Sequence, residues 1–160
     1  MINIRKSLLP RDFYIATQPV ILETLVGSCV AVCLYNYRIG CAAMNHFLRD
    51  RPVGDCPVDI GEFGSTSTGH IISELLAIDS VTAHYRAMVF GGAAVVRTSG
   101  GQSDIGRKNV EVALDVLADV RIRVTEKQVL GTRGRRVTFN TADGTVKWRF
   151  AGDLGGKRRG

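Results

Sequence analysis

Two periods of apolar spacing run through this chain, and the places where one gives way to the other outline an α+β protein. Val30 to Tyr37 is a nearly unbroken apolar run, which predicts a strand buried on both faces, and Ile39 to Phe47 predicts its partner. Between about 68 and 83 the spacing becomes helical, with Ile71, Ile72, Leu75 and Leu76 on one side behind hydroxyl residues able to cap. Tyr85 to Phe90 and Ala93 to Val96 predict short strands either side of a Gly91-Gly92 bend. Ser103 is placed to cap a second helix, with Val110, Ala113, Leu114 and Leu117 as its apolar stripe, and a strand from Arg121 to Val124 follows. Arg136 to Asn140 and Thr145 to Phe150, joined through Asp143-Gly144, give the clearest signal, a β-hairpin.

Composition narrows the setting. A chain of 160 residues with 45% hydrophobic and 22% charged residues is enough for one core and too short for two ordinary domains. The apolar runs are strand-length, well short of the roughly 20 residues of a spanning helix. Met1 to Pro10 carries basic residues but no long apolar segment, so a secretory signal is not expected and the setting is read as cytoplasmic. Four cysteines do not reach the density of a disulfide framework and are read as reduced. Neither Gly91-Gly92 nor Gly100-Gly101 completes a phosphate-binding fingerprint, so both pairs are read as flexible turns.

The net charge of +6 asks for an acidic partner or a solvated basic face. Arg133, Arg135, Arg136, Lys147, Arg149, Lys157, Arg158 and Arg159 gather that charge toward the C-terminus. Such a patch suits nucleic acid, anionic lipid or glutamate-rich helices. Only Phe139, Trp148 and Phe150 interleave with it, which makes a poor stacking platform for single-stranded nucleic acid.

The candidate chemistry lies in Thr24-Leu25-Val26-Gly27-Ser28-Cys29-Val30, with His46 in Met44-Asn45-His46-Phe47. A thiol of pKa about 8.5 is only a few per cent ionised at neutral pH, so a nucleophilic cysteine needs a base beside it. His46 can take the proton, lower the thiol pKa by pairing with the thiolate as imidazolium, and later return the proton to a leaving amine, and the Thr24 hydroxyl can orient the ring. The small residues Gly27 and Ser28 let backbone N–H groups, that of Cys29 included, approach a developing oxyanion. Cys33, Cys41 and Cys56 lack such a turn and are read as core. A zinc site from Cys29, Cys33, Cys41 and His46 has neither paired knuckles nor a histidine pair at helical spacing. His70 is read as a helix-entry residue, and His84 lies between a helix and a strand.

The Thr24-to-Leu34 run and Met44-Asn45-His46-Phe47-Leu48 resemble the signature of CheD chemoreceptor glutamine deamidases. Phe90-Gly91-Gly92-Ala93-Ala94, Asp104-Ile105-Gly106-Arg107-Lys108-Asn109-Val110 and Gly131-Thr132-Arg133-Gly134-Arg135-Arg136-Val137 follow in the family's order. The resemblance implies a mixed β-sandwich flanked by helices over residues 12–150, with an N-terminal extension at 1–11 and a basic tail at 151–160. It implies Cys29 as nucleophile, His46 as general base and Thr24 as orienting residue. The implied reaction converts receptor glutamines to glutamate through a cysteine thioester, with receptor methyl-ester hydrolysis as a side activity and no metal or cofactor. Methyl-accepting chemotaxis receptors are the implied substrates and the CheC phosphatase a further partner, with no nucleic acid and only indirect membrane contact. Phe47-Leu48-Arg49-Asp50-Arg51 and Phe63-Gly64-Ser65-Thr66-Ser67 depart from the family pattern in loops expected to flank the substrate groove. Two alternatives share these residues: a non-catalytic adaptor for receptors or CheC, and a basic nucleic-acid-binding module.

Overall fold

The apolar run that begins at Val30 occupies the middle of three layers. The computed structural model describes residues 4–54, 58–95, 97–98, 101–102 and 104–153. Its elements run β1 (Arg5–Ser7), β2 (Phe13–Ala16), β3 (Ile21–Val26), β4 (Val30–Asn36), β5 (Ala42–Asn45), α1 (Gly64–Ile78), β6 (Tyr85–Gly91), β7 (Arg97–Thr98), β8 (Gly101–Gln102), α2 (Ile105–Asp119), β9 (Arg123–Val129), β10 (Arg135–Asn140) and β11 (Thr145–Phe150). A four-stranded sheet ordered β1-β3-β10-β11 faces a five-stranded sheet ordered β2-β5-β4-β6-β9. Both are mixed, because β1 runs parallel to β3 and β6 parallel to β9 while their other pairings are antiparallel. The two helices cover the outer face of the five-stranded sheet. The architecture is α+β, as the apolar spacing predicts, and is the mixed β-sandwich with flanking helices that the resemblance implies.

β4 is buried at every position because it lies between two cores. Side chains alternate across a strand, so Ala31, Cys33 and Tyr35 enter the core between the sheets with Leu22, Met44, Phe90 and Phe139. Val30, Val32 and Leu34 enter the helix-side core with Ile71, Leu75, Val110 and Leu117. Full burial of such side chains contributes about 1.5–3 kcal/mol each, so the strand that leads out of the Cys29 turn is among the most firmly held.

Several boundaries differ from the sequence reading. α1 starts at Gly64 and ends at Ile78, so the hydroxyl run lies inside the helix, where Ser67 and Thr68 are buried, rather than ahead of it. His70 accordingly sits within α1, edge-on to Phe13 with ring centroids 4.9 Å apart, and not at the helix entry. Ala93 to Val95 form no strand, and Val96 lies outside the described residues. The strand expected at Arg121 is displaced to β9, because Arg121 takes a positive φ of 62° as the chain leaves α2. Ser103, Cys56 and the tail beyond Asp153 also fall outside the described residues. The hairpin is present one residue longer at its start, with Arg135 paired to Phe150.

Gly91-Gly92 is not a flexible turn. Both residues have positive φ, at 112° and 72°, and a Cβ on Gly91 would collide with the Cys29 carbonyl. A Cβ on Gly92 would strike Gly106 at the start of α2, so the pair lets β6, the Cys29 turn and α2 close on one another.

Candidate functional site

Cys29 ends the turn between β3 and β4. Val30 and Phe47 exchange backbone hydrogen bonds of 3.2 and 3.0 Å, and Cys33 lies opposite Met44. This register sets His46 opposite Ala31. Because side chains alternate, Cys29, Ala31 and His46 share the face turned toward the four-stranded sheet, and Cys29 is a diagonal neighbour of His46. Diagonal neighbours lie about 7–8 Å apart, within reach of an imidazole, and the small Ala31 leaves room for the ring. The β4–β5 ladder is interrupted beside the histidine. There the Val32 N–H donates to Asn45 Oδ1 at 2.8 Å, and Asn45 Nδ2 donates to Thr68 Oγ1 at 3.1 Å. His46 is held from its other side by segment 11–12, its N–H donating to the Asp12 carbonyl at 3.0 Å and its carbonyl accepting from the Arg11 N–H at 2.8 Å.

Thr24 projects inward from β3 and is buried. Its Oγ1 lies 2.6 Å from the Leu8 carbonyl and 2.7 Å from His46 Nδ1. A carbonyl only accepts, so the single hydroxyl proton goes to Leu8, and the ring must donate its Nδ1 proton to Thr24. That order leaves Nε2 with a free lone pair, the tautomer a base needs. The Leu8 carbonyl comes from the segment just after β1, whose Leu8 N–H donates to the Glu23 carbonyl at 2.8 Å.

Electrostatics keep the pair neutral. Burial lowers the His46 pKa from its ordinary value to about 4, with the Leu8 carbonyl and Asp12 opposing it only in part. Burial also raises the Cys29 thiol above its ordinary value, and its own backbone amide offsets this only partly. The low-pKa thiolate that sequence reasoning favoured is therefore not the resting state. The geometry suits transfer of the thiol proton to the imidazole during attack on an electrophile.

Three consecutive carbonyls fix the turn. Gly27 accepts from the Ala93 N–H, Ser28 from Asn109 Nδ2 and Cys29 from the Gly92 N–H, each at 2.9 Å. The Cys29 N–H donates to no other described residue. Asn109, fully buried on α2, donates its second amide hydrogen to the Leu48 carbonyl at 2.9 Å. Asn109 falls within the Asp104-to-Val110 motif, and its signal in the sequence is a polar residue in phase with the apolar stripe of α2. A cleft of about 620 Å³ opens here, with Ser28, Cys29, Leu48, Arg49, Phe63 and Asn109 among its lining residues. Of the two segments expected to flank a groove, Leu48 to Arg51 and Phe63 line this cleft with Cys29, whereas Gly64 to Ser67 belong to α1 and do not.

The other candidates lie elsewhere. Cys33 is buried between the sheets, where desolvation pushes its thiol far up, and Cys41 is buried at the opposite end of β4 from Cys29. Among the described residues no three histidine, cysteine, aspartate or glutamate side chains form a metal-sized cluster. His84 Nδ1 meets Asp79 Oδ2 at 2.7 Å beyond the end of α1. The basic patch needs redrawing. Arg135 faces inward, 6% exposed, donating to the Leu130 carbonyl and stacking near Trp148 and Phe150. Arg133 is tied to Asp153 at 3.0 Å and lies over Phe150.

Comparison with known proteins adds an independent line. A family model described as CheD chemotactic sensory transduction matches residues 54–150. The chain is 35% identical over 144 residues to a Trichlorobacter lovleyi protein named "Probable chemoreceptor glutamine deamidase CheD", covering 89% of each chain. A protein of the same name from Rhodospirillum rubrum is 33% identical over 155 residues, covering 93% of this chain and 86% of that one. One from Anaeromyxobacter dehalogenans, named "Probable chemoreceptor glutamine deamidase CheD 1", is 35% identical over 132 residues, covering 82% of this chain and 76% of its own.

Proposed function

The chain belongs to the CheD family, and from that premise we propose that it deamidates glutamine side chains of chemoreceptors, with Cys29 as nucleophile, His46 as general base and Thr24 as orienting residue. The observation that carries the reading is the proton order from His46 Nδ1 to Thr24 Oγ1 to the Leu8 carbonyl, which leaves Nε2 free on the face that Cys29 shares. As Cys29 Sγ bonds to the carboxamide carbon, its proton passes to Nε2 and the carbonyl electrons move onto oxygen, facing the Cys29 N–H. Collapse of the tetrahedral adduct breaks the C–N bond, and the nitrogen leaves as ammonia with the proton from His46. Water then gives a proton to His46 and attacks the thioester. Cys29 departs as thiolate, recovers that proton, and glutamate remains.

A methyl ester follows the same path with methanol as leaving group, which supports a methylesterase side activity. CheC as a regulatory partner comes from the family alone. The adaptor reading leaves the Thr24–His46 relay without a use, and the nucleic-acid reading loses Arg135, which is buried and donates to the Leu130 carbonyl. The test is ammonia release from a chemoreceptor cytoplasmic fragment. Wild type is expected to release ammonia, Cys29→Ser to lose at least about 10³-fold in kcat while folding normally, and Cys33→Ser to keep its kcat. Near-native turnover by Cys29→Ser would overturn the proposal.

A further inference from the structure

The geometry points to Asn109 as a positioning residue that aims the Cys29 amide at the developing oxyanion. This inference rests on the proposed reaction and adds a part that the reaction does not itself name. The Ser28 carbonyl and the Cys29 N–H belong to one planar trans peptide, so they point in opposite directions. Whatever holds the carbonyl also aims the amide. Of the three carbonyls that fix the turn, those of Gly27 and Cys29 are held by backbone N–H groups, and only that of Ser28 is held by a side chain, Asn109 Nδ2 at 2.9 Å. The Cys29 N–H, opposite that anchor, donates to no other described residue, and Cys29 and Asn109 both line the cleft.

The second Asn109 hydrogen bond, to the Leu48 carbonyl, ties the same clamp to the segment that follows His46. One carboxamide on α2 thereby spans the turn carrying the nucleophile and the segment following the base. This arrangement has a cost. Asn109 Oδ1 is buried with no hydrogen-bond partner among the described residues, a penalty that an apolar residue of similar volume would not incur. A side chain selected only for packing would not keep it.

The test separates steps that do and do not build an oxyanion. Alkylation of Cys29 by iodoacetamide displaces iodide at a saturated carbon and needs no oxyanion donor, whereas deamidation does. Asn109→Leu keeps the branched shape and donates nothing; Asn109→Ala covers the case in which the larger leucine overpacks the site. For whichever variant retains the wild-type circular dichroism and a cooperative melt, kcat for ammonia release from the receptor fragment is expected to fall about 10²-fold. KM and the alkylation rate of Cys29 should each stay within about threefold of wild type. A folded variant with kcat within threefold of wild type would overturn the assignment. So would a parallel fall of kcat and alkylation rate, which marks a collapsed site rather than a misaimed amide. Cys29→Ser run alongside keeps the two claims apart: activity in that variant overturns the proposed reaction, whereas an inactive Cys29→Ser beside an active Asn109→Leu overturns only this inference.

Discussion

At the scale of single residues, protonation is where sequence and structure part most sharply. Spacing alone suggested that His46 would hold the Cys29 thiol low, but burial pushes the imidazole down to about 4 and the thiol up. Spacing shows which residues meet and carries no measure of how much water they lose on meeting. Two outcomes follow for pH. The acid limb of kcat/KM should fall near pH 4 rather than near the ordinary histidine value of 6.5, because Nε2 stays available until then. Stability follows the same shift. The unfolded chain binds the His46 proton first, so the contribution is complete above pH 6.5 and is lost as pH falls toward about 4. Its size is roughly 3 kcal/mol, at 1.36 kcal/mol per pH unit. Urea unfolding at pH 7 and pH 4.5 should show a larger loss for wild type than for His46→Gln, and equal losses would contradict the buried neutral imidazole.

At the scale of elements, the N-terminal strand is more than an extension of the domain. Among the described residues β1 pairs with β3 alone, yet the chain leaving it supplies the Leu8 carbonyl that receives the Thr24 proton. Deleting residues 1–8 frees the Thr24 hydroxyl to donate to Nδ1, which favours the tautomer with Nε2 protonated. A kcat 10- to 100-fold lower is expected, the scale of lost outer-shell support, with the sandwich still folded. Unchanged kcat in the truncated protein would show that the relay orients nothing. No residue type announces a backbone carbonyl, so this part of the site had no signal in the sequence. The start of α1 was hidden for a similar reason. Glycine and hydroxyl residues are poor helix formers, but the Gly64 and Ser65 N–H groups donate to the Arg49 and Asp50 carbonyls at 2.7 and 3.0 Å, so tertiary contacts cap the helix. The hairpin and the stripe of α2 were legible because their periodicity and turn residues are local. Arg135 was legible in principle, since it falls in phase with Val137 and Phe139 on the buried face of β10.

At the scale of the whole molecule, one group of basic side chains lies together on the outer face of the four-stranded sheet. Arg136 pairs directly with Arg149 across β10 and β11, and Lys147 is exposed on the same face. None of the three makes an ion pair among the described residues. Like charges set opposite each other cost stability and raise the local potential, so this face should steer an acidic partner. Reversing Arg136, Lys147 and Arg149 to glutamate should lower kcat/KM on the receptor fragment about 3- to 10-fold at low salt with kcat unchanged. The gap should close as ionic strength rises from roughly 0.05 to 0.5 M, and a gap insensitive to salt would contradict long-range steering. Steering and positioning both serve one covalent event, and that event can be caught directly. Acid quench of wild type during turnover on the receptor fragment, followed by intact mass spectrometry and mapping, should find the fragment joined to Cys29 with loss of ammonia and released by hydroxylamine. Turnover with no Cys29-linked species at any quench time, together with undiminished ammonia release by Cys29→Ser, would contradict the account.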